Sequence, residues 1–124
     1  MPPEDIANTE ADRERLRHML VAAQDAEFFA AGRSRADLDS DRMFARAVLH
    51  AIQEIGEAAA RTSEAGRSRA AQLPWGSIVQ MRHILVHAYF NVNFDFVWRV
   101  IERDLAPLIE ALKAALASWP ECAP

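Results

Sequence analysis

Cysteine is almost absent from this 124-residue chain, in which Cys122 stands alone near the C-terminus. One thiol excludes an internal disulfide and a cysteine-based metal site, and it suits a reducing compartment. Lysine is nearly missing as well: Lys113 is the single lysine among fourteen basic residues, and the rest are arginine. The formal net charge of −4 lacks the basic excess needed to coat nucleic acid non-specifically. It leaves room for a local cleft of arginines, the better bidentate partners for phosphate. No stretch approaches the roughly 18 consecutive apolar residues of a membrane span. The acidic opening Met1-Pro2-Pro3-Glu4-Asp5 has no basic segment followed by an apolar run, so the expectation is a cytoplasmic protein with no export signal and no membrane partner. Strand-length alternation of apolar and polar residues is also lacking, which leaves a helical class.

The remaining composition is that of a folded domain, with 51% hydrophobic and 26% charged residues. The length predicts one domain over residues 1–124, with frayed tails at 1–9 and 118–124. Thr9-Glu10-Ala11-Asp12 resembles a cap opening a helix to about Ala31, with Leu16, Met19, Leu20, Ala23 and Ala26 on one face and Gly32 ending it. A polar turn with Asp37 and Asp39 precedes a second helix from about Asp41 to Thr62, striped by Phe44, Ala47, Val48, Ala51, Ile55 and Ala58. Gly56 inside it costs about 1 kcal/mol relative to Ala and offers a place where another helix can come close. Ser63 to Leu73 reads as a loop with one short helix, stopped by Pro74. Trp75 to about Phe90 forms the next helix, and Asn93 caps a last one from Phe94 to about Ser118, which Pro107 should bend. Its inward residues would be Val97, Ile101, Leu105, Leu108, Leu112 and Leu116. The fold class is therefore all-α, an antiparallel bundle of four long helices plus one short helix.

The penultimate long helix carries the chemistry-bearing residues. At about 100° per residue from Ile78, the apolar side holds Met81, Ile84, Leu85 and Ala88, while Gln80, His83 and His87 share the opposite wedge. Arg82 and Tyr89 fall near the edge of the apolar arc. A partly buried guanidinium requires a partner, and the second helix offers Glu54 at the edge of its apolar stripe and Glu57 further into its polar face. A structural ion pair within the bundle fits the same residues. His83 and His87, four apart, also have a metal-compatible spacing, but no third ligand stands beside them, so no metal and no cofactor are expected.

Arg82-His83-Ile84-Leu85-Val86-His87-Ala88-Tyr89 has the form Arg-x4-His-x-Tyr. With Ile52-Gln53-Glu54-Ile55-Gly56-Glu57-Ala58, Pro74-Trp75 and Phe94-Asp95-Phe96-Val97-Trp98, the chain resembles the HEPN family, and within it the HepT-like toxins, from Asp12 to about Leu112. The residue after the arginine is often a small polar one in that family, and here it is His83. The resemblance implies metal-independent RNA cleavage, in which the RNA's own 2′-hydroxyl attacks the neighbouring phosphate. His87 would move a proton and Arg82 would brace the phosphorane charge, with His83 as a supporting group.

Residues five apart on a helix are separated by about 7.5 Å along the axis and roughly 140° around it. One copy of the motif is thus not compact, and the resemblance implies a homodimer with a shared cleft. It also implies that Tyr89 accepts AMP from a partner nucleotidyltransferase antitoxin, which would block RNA by bulk and charge. Arg61, Arg67 and Arg69 lie in one predicted loop and could hold flanking phosphates, or simply be solvated. Two other functions fit a helical bundle: a non-catalytic subunit that only docks a nucleotidyltransferase, and a small-molecule binder built around an apolar cavity.

Overall fold

The computed structural model describes residues 3–87 and 92–120, the side chains of 3–8 and 83–87 excepted. The described residues form α1 (Pro3–Ala30), α2 (Arg35–Ser40), α3 (Arg42–Arg61), α4 (Glu64–Arg69), α5 (Trp75–His87), α6 (Phe94–Arg99) and α7 (Leu105–Ala117). A π-helical turn, Val100–Asp104, joins α6 to α7, so residues 94–117 run as one long helix. No strand occurs among the described residues. The expected all-α bundle of four long helices is present, with two short helices instead of one.

Side-chain caps set the boundaries. Asp41 accepts the backbone N–H of Phe44 (3.1 Å) and starts α3. Asn93 accepts that of Phe96 (3.2 Å) and starts α6, and Ser63 Oγ accepts that of Gly66 (3.1 Å) at α4. The segment read as a polar turn is helical because the backbone N–H of Ser34 donates to Asp37 (2.8 Å) while Leu38 is buried. Gly32, at φ 74°, follows the end of α1.

The start of α1 differs more. Thr9 is not a cap: α1 begins at Pro3, where a proline is tolerated in a first helical turn. Thr9 is buried, and its carbonyl accepts the indole N–H of Trp119 (3.1 Å). Trp119, placed by the sequence reading in a frayed tail, is itself buried in the core. Asp12, also buried, accepts the backbone N–H (2.9 Å) and hydroxyl (2.5 Å) of Ser63 and so ties α1 to the corner between α3 and α4.

Helix α1 packs between α3 and α7, and α5 lies on the other side of α3. The core combines Leu16, Met19 and Ala23 of α1 with Val48, Ile52 and Ile55 of α3 and Leu105 and Leu112 of α7. Just before Pro107, where a bend was expected, the helix makes the π turn Val100–Asp104. Proline has no N–H to offer the carbonyl of Arg103, and the ladder widens so that Leu105 N–H donates to Val100. The five-residue step from Val100 to Leu105 keeps both buried, whereas Ile101, expected to face inward, is half-buried. No helix among the described residues is long and apolar enough to cross a membrane.

Candidate active site on helix α5

The N-terminus of α5 is fixed from both sides. The Pro74 carbonyl accepts the N–H of Ile78 (3.0 Å), and the Trp75 indole donates to the Ala70 carbonyl (2.9 Å). Ile78 and Met81 are buried in the core and Gln80 is exposed, which matches the expected faces of this helix.

Arg82 packs directly against Gly56 of α3. A Cβ placed on Gly56 would overlap Arg82 Cβ and lie 3.0 Å from its Cα, so only glycine accommodates this crossing. The expected close helix approach at Gly56 is therefore made by the motif arginine itself. Arg82 is half-buried, and its Nε is buried with no hydrogen-bond partner among the described residues.

Neither Glu54 nor Glu57 pairs with Arg82, a correction to the expected contact. Glu54 Oε1 lies 2.8 Å from His50 Nε2, and Glu57 accepts from Gln53 (3.3 Å). On α3, Glu57 lies about 100° and Glu54 about 160° around the axis from Gly56. Both therefore turn away from α5 and line a groove of about 560 Å³ with Glu14, His18 and Val21 of α1. Glu57, expected further out than Glu54, is the half-buried one of the two. The supporting role read for these glutamates through Arg82 has no contact to carry it among the described residues. The groove is completed by Arg15, Ala58 and Arg61.

Helix α5 continues through His87, so Arg82 and His87 keep the separation of about 7.5 Å and roughly 140° that regular helix geometry imposes. The side chains of His83 and His87 lie outside the described residues, as does Tyr89 altogether. Among the described residues no three His, Cys, Asp or Glu side chains come together as a metal site.

The three arginines read as one loop have separate settings. Arg61 is exposed at the end of α3 and lines the α1–α3 groove. Arg69 has its guanidinium 5.9 Å from the ring centroid of Trp119. Arg67 donates from Nη2 to the Ala59 carbonyl (3.1 Å), lies 5.6 Å over the Trp75 ring, and keeps a buried Nε without a hydrogen-bond partner. Linear spacing gave no sign that Arg67 joins the α3–α5 seam; the available signal was Trp75, an indole placed at a helix start.

The chain is thus an all-α bundle in which the helix carrying the Arg-x4-His sequence packs against Gly56 of α3, and the sequence comparisons give its family. Residues 19–115 match the family model described as "Ribonuclease HepT-like", and the chain belongs to that HepT-like ribonuclease family. It is 32% identical over 104 residues to a "Putative RNase" of Caldanaerobacter subterraneus subsp. tengcongensis, covering 82% of this chain and 90% of that protein. It is 28% identical over 90 residues to a "Putative RNase" of Methanocaldococcus jannaschii, covering 73% and 83%. It is also 31% identical over 72 residues to a "Probable ribonuclease HepT" of Thermococcus cleftensis, covering 58% and 66%. No solved structure matches the chain significantly.

Proposed function

We infer that this chain is a metal-independent endoribonuclease toxin of a toxin–antitoxin pair, acting in the cytoplasm as a homodimer. Arg82 carries the reading: the half-buried residue is seated by its stem on Gly56, has a buried, unpartnered Nε, and has no carboxylate paired to it among the described residues. An unneutralised cation held in a helix seam suits an anionic ligand, and membership of a ribonuclease family points to an RNA phosphate. The 2′-oxygen forms a bond to phosphorus while the bond to the 5′-oxygen breaks. His87 accepts the 2′-proton or supplies the proton to the departing oxygen, and Arg82 stabilises the phosphorane charge. The products are a 2′,3′-cyclic phosphate and a 5′-hydroxyl. His83 is a supporting group. The 7.5 Å offset between Arg82 and His87, about 1.4 helical turns, favours pooling motifs across a two-fold axis, the commonest oligomeric symmetry.

Control falls to Tyr89, which accepts AMP from a cognate nucleotidyltransferase. The test of the chemistry uses RNA of defined sequence with EDTA present. Cleavage should persist with EDTA, stop when the scissile nucleotide carries 2′-hydrogen, and fall at least 100-fold in His87→Ala. Cleavage that survives the deoxy substitution would overturn the 2′-hydroxyl attack, cleavage unchanged in His87→Ala would overturn the assignment of that residue, and no cleavage by the wild type would leave the chain as a docking subunit for the nucleotidyltransferase.

A further inference from the structure

Arg67 and Arg82 share a feature that sets them apart from the other arginines: each has an Nε buried with no hydrogen-bond partner among the described residues. Both sit on the seam between α3 and α5. Arg82 is packed on Gly56, while Arg67 spans from the Ala59 carbonyl to the face of Trp75. On α3, Ala59 is one turn beyond Gly56. On α5, Trp75 precedes Arg82 by seven residues, which places it on the same face, about 20° away and about 10.5 Å back along the axis.

No acidic side chain neutralises either guanidinium among the described residues, whereas Arg17, Arg33 and Arg35 are each paired to a carboxylate. The indole beneath Arg67 and the carbonyl beside it hold a normally flexible side chain in one orientation, which lowers the entropy lost when it grips a ligand. A cation so fixed, on the same seam as Arg82, can engage a second phosphate of the strand whose scissile phosphate Arg82 would bind.

We propose that Arg67, braced on Trp75, is an RNA backbone subsite that grips a phosphate flanking the cleaved bond. This rests on the ribonuclease reading of Arg82 and His87. Arg67 positions substrate and takes no part in bond making, so its removal raises KM and leaves kcat close to that of the wild type. The contending role is purely structural: a cation closing the C-terminal end of α3 at the Ala59 carbonyl.

The experiment measures binding of a short 2′-deoxy-substituted, uncleavable RNA across a salt series for wild type, Arg67→Ala and Arg67→Gln. The glutamine keeps an amide donor for Ala59 and removes the charge, so it covers the case in which alanine impairs folding. Both variants should lower the magnitude of the log Kd against log salt slope by roughly 0.7, one single-strand phosphate contact. That slope corresponds to about fourfold weaker binding at 0.15 M salt and almost none at 1 M. A methylphosphonate moved along the RNA should weaken the wild type at one flanking position, and both variants less or not at all there. An unchanged slope and methylphosphonate profile, with a lowered melting temperature alone, would overturn the subsite while leaving wild-type cleavage intact. Absence of RNA binding by the wild type would overturn it together with the ribonuclease reading.

Discussion

Replacing Gly56 with alanine tests the link between helix packing and the motif arginine. The added Cβ would overlap Arg82 Cβ and stand 3.0 Å from its Cα, against an ordinary carbon–carbon contact of about 3.5–4.0 Å. Because both neighbouring atoms are at or next to the backbone, no side-chain rotation relieves the clash, and α5 must move off α3 by roughly 1 Å or more. Overpacking of this kind costs about 1–3 kcal/mol. Alanine returns about 1 kcal/mol of helix propensity, so the net loss is about 0–2 kcal/mol, visible as a fall in melting temperature of a few degrees.

The catalytic effect should be far larger, since an error of about 1 Å in a reacting group can cost roughly 100-fold in rate. Gly56→Ala is therefore expected to remain folded by circular dichroism while its single-turnover cleavage falls about as far as that of Arg82→Ala. Combining Gly56→Ala with Arg82→Gly removes the clashing Cβ and should recover part of the melting temperature but none of the activity. A Gly56→Ala protein with wild-type melting and wild-type cleavage would refute the close approach as the determinant of Arg82's position.

Three further outcomes are expected. Mixed dimers of Arg82→Ala and His87→Ala subunits should regain part of the activity at equal total protein, and verified heterodimers with none would argue against a shared site. Tyr89→Phe should fold and cleave RNA yet gain no AMP mass on co-expression with the cognate nucleotidyltransferase; equal modification of both proteins would remove Tyr89 as the acceptor. The backbone N–H of Phe44 and then Arg33 hold the Asp41 carboxyl below its usual range. Its contribution is thus fully present above the unfolded value near pH 4 and is lost as pH falls through the lowered folded value. Acid titration of melting temperature should show wild type losing its advantage over Asp41→Ala below about pH 4, and a constant difference down to pH 2 would contradict the assignment.

Much of the bundle was legible because caps and stripes are local. Asp41, Asn93 and Gly32 mark boundaries through their own hydrogen bonds or backbone angle, and Val48, Ile55 and Leu112 repeat at helical spacing. The extension of α1 back past Thr9 was not legible, because what holds that residue is the indole of Trp119, 110 positions away. Likewise, a wheel drawn on α3 alone gives the relative angles of Glu54, Gly56 and Glu57 without saying which flank meets α5. That required the Gly56–Arg82 crossing, and with it the glutamates turned toward α1. The motif itself was readable from spacing and resemblance, whereas Arg67 became part of the seam only through a stack on a residue eight positions along the chain.

The bond from Trp119 to Thr9, together with the packing of α1 between α3 and α7, has a consequence for synthesis on the ribosome. Helix α1 emerges before α7, and the flank of it that α7 packs against is covered by a helix made nearly ninety residues later. At about 5–20 residues per second, that flank waits roughly 4–18 s for its cover. The nascent chain thus exposes apolar α1 surface, open to chaperones or to premature pairing with another nascent copy, until α7 arrives.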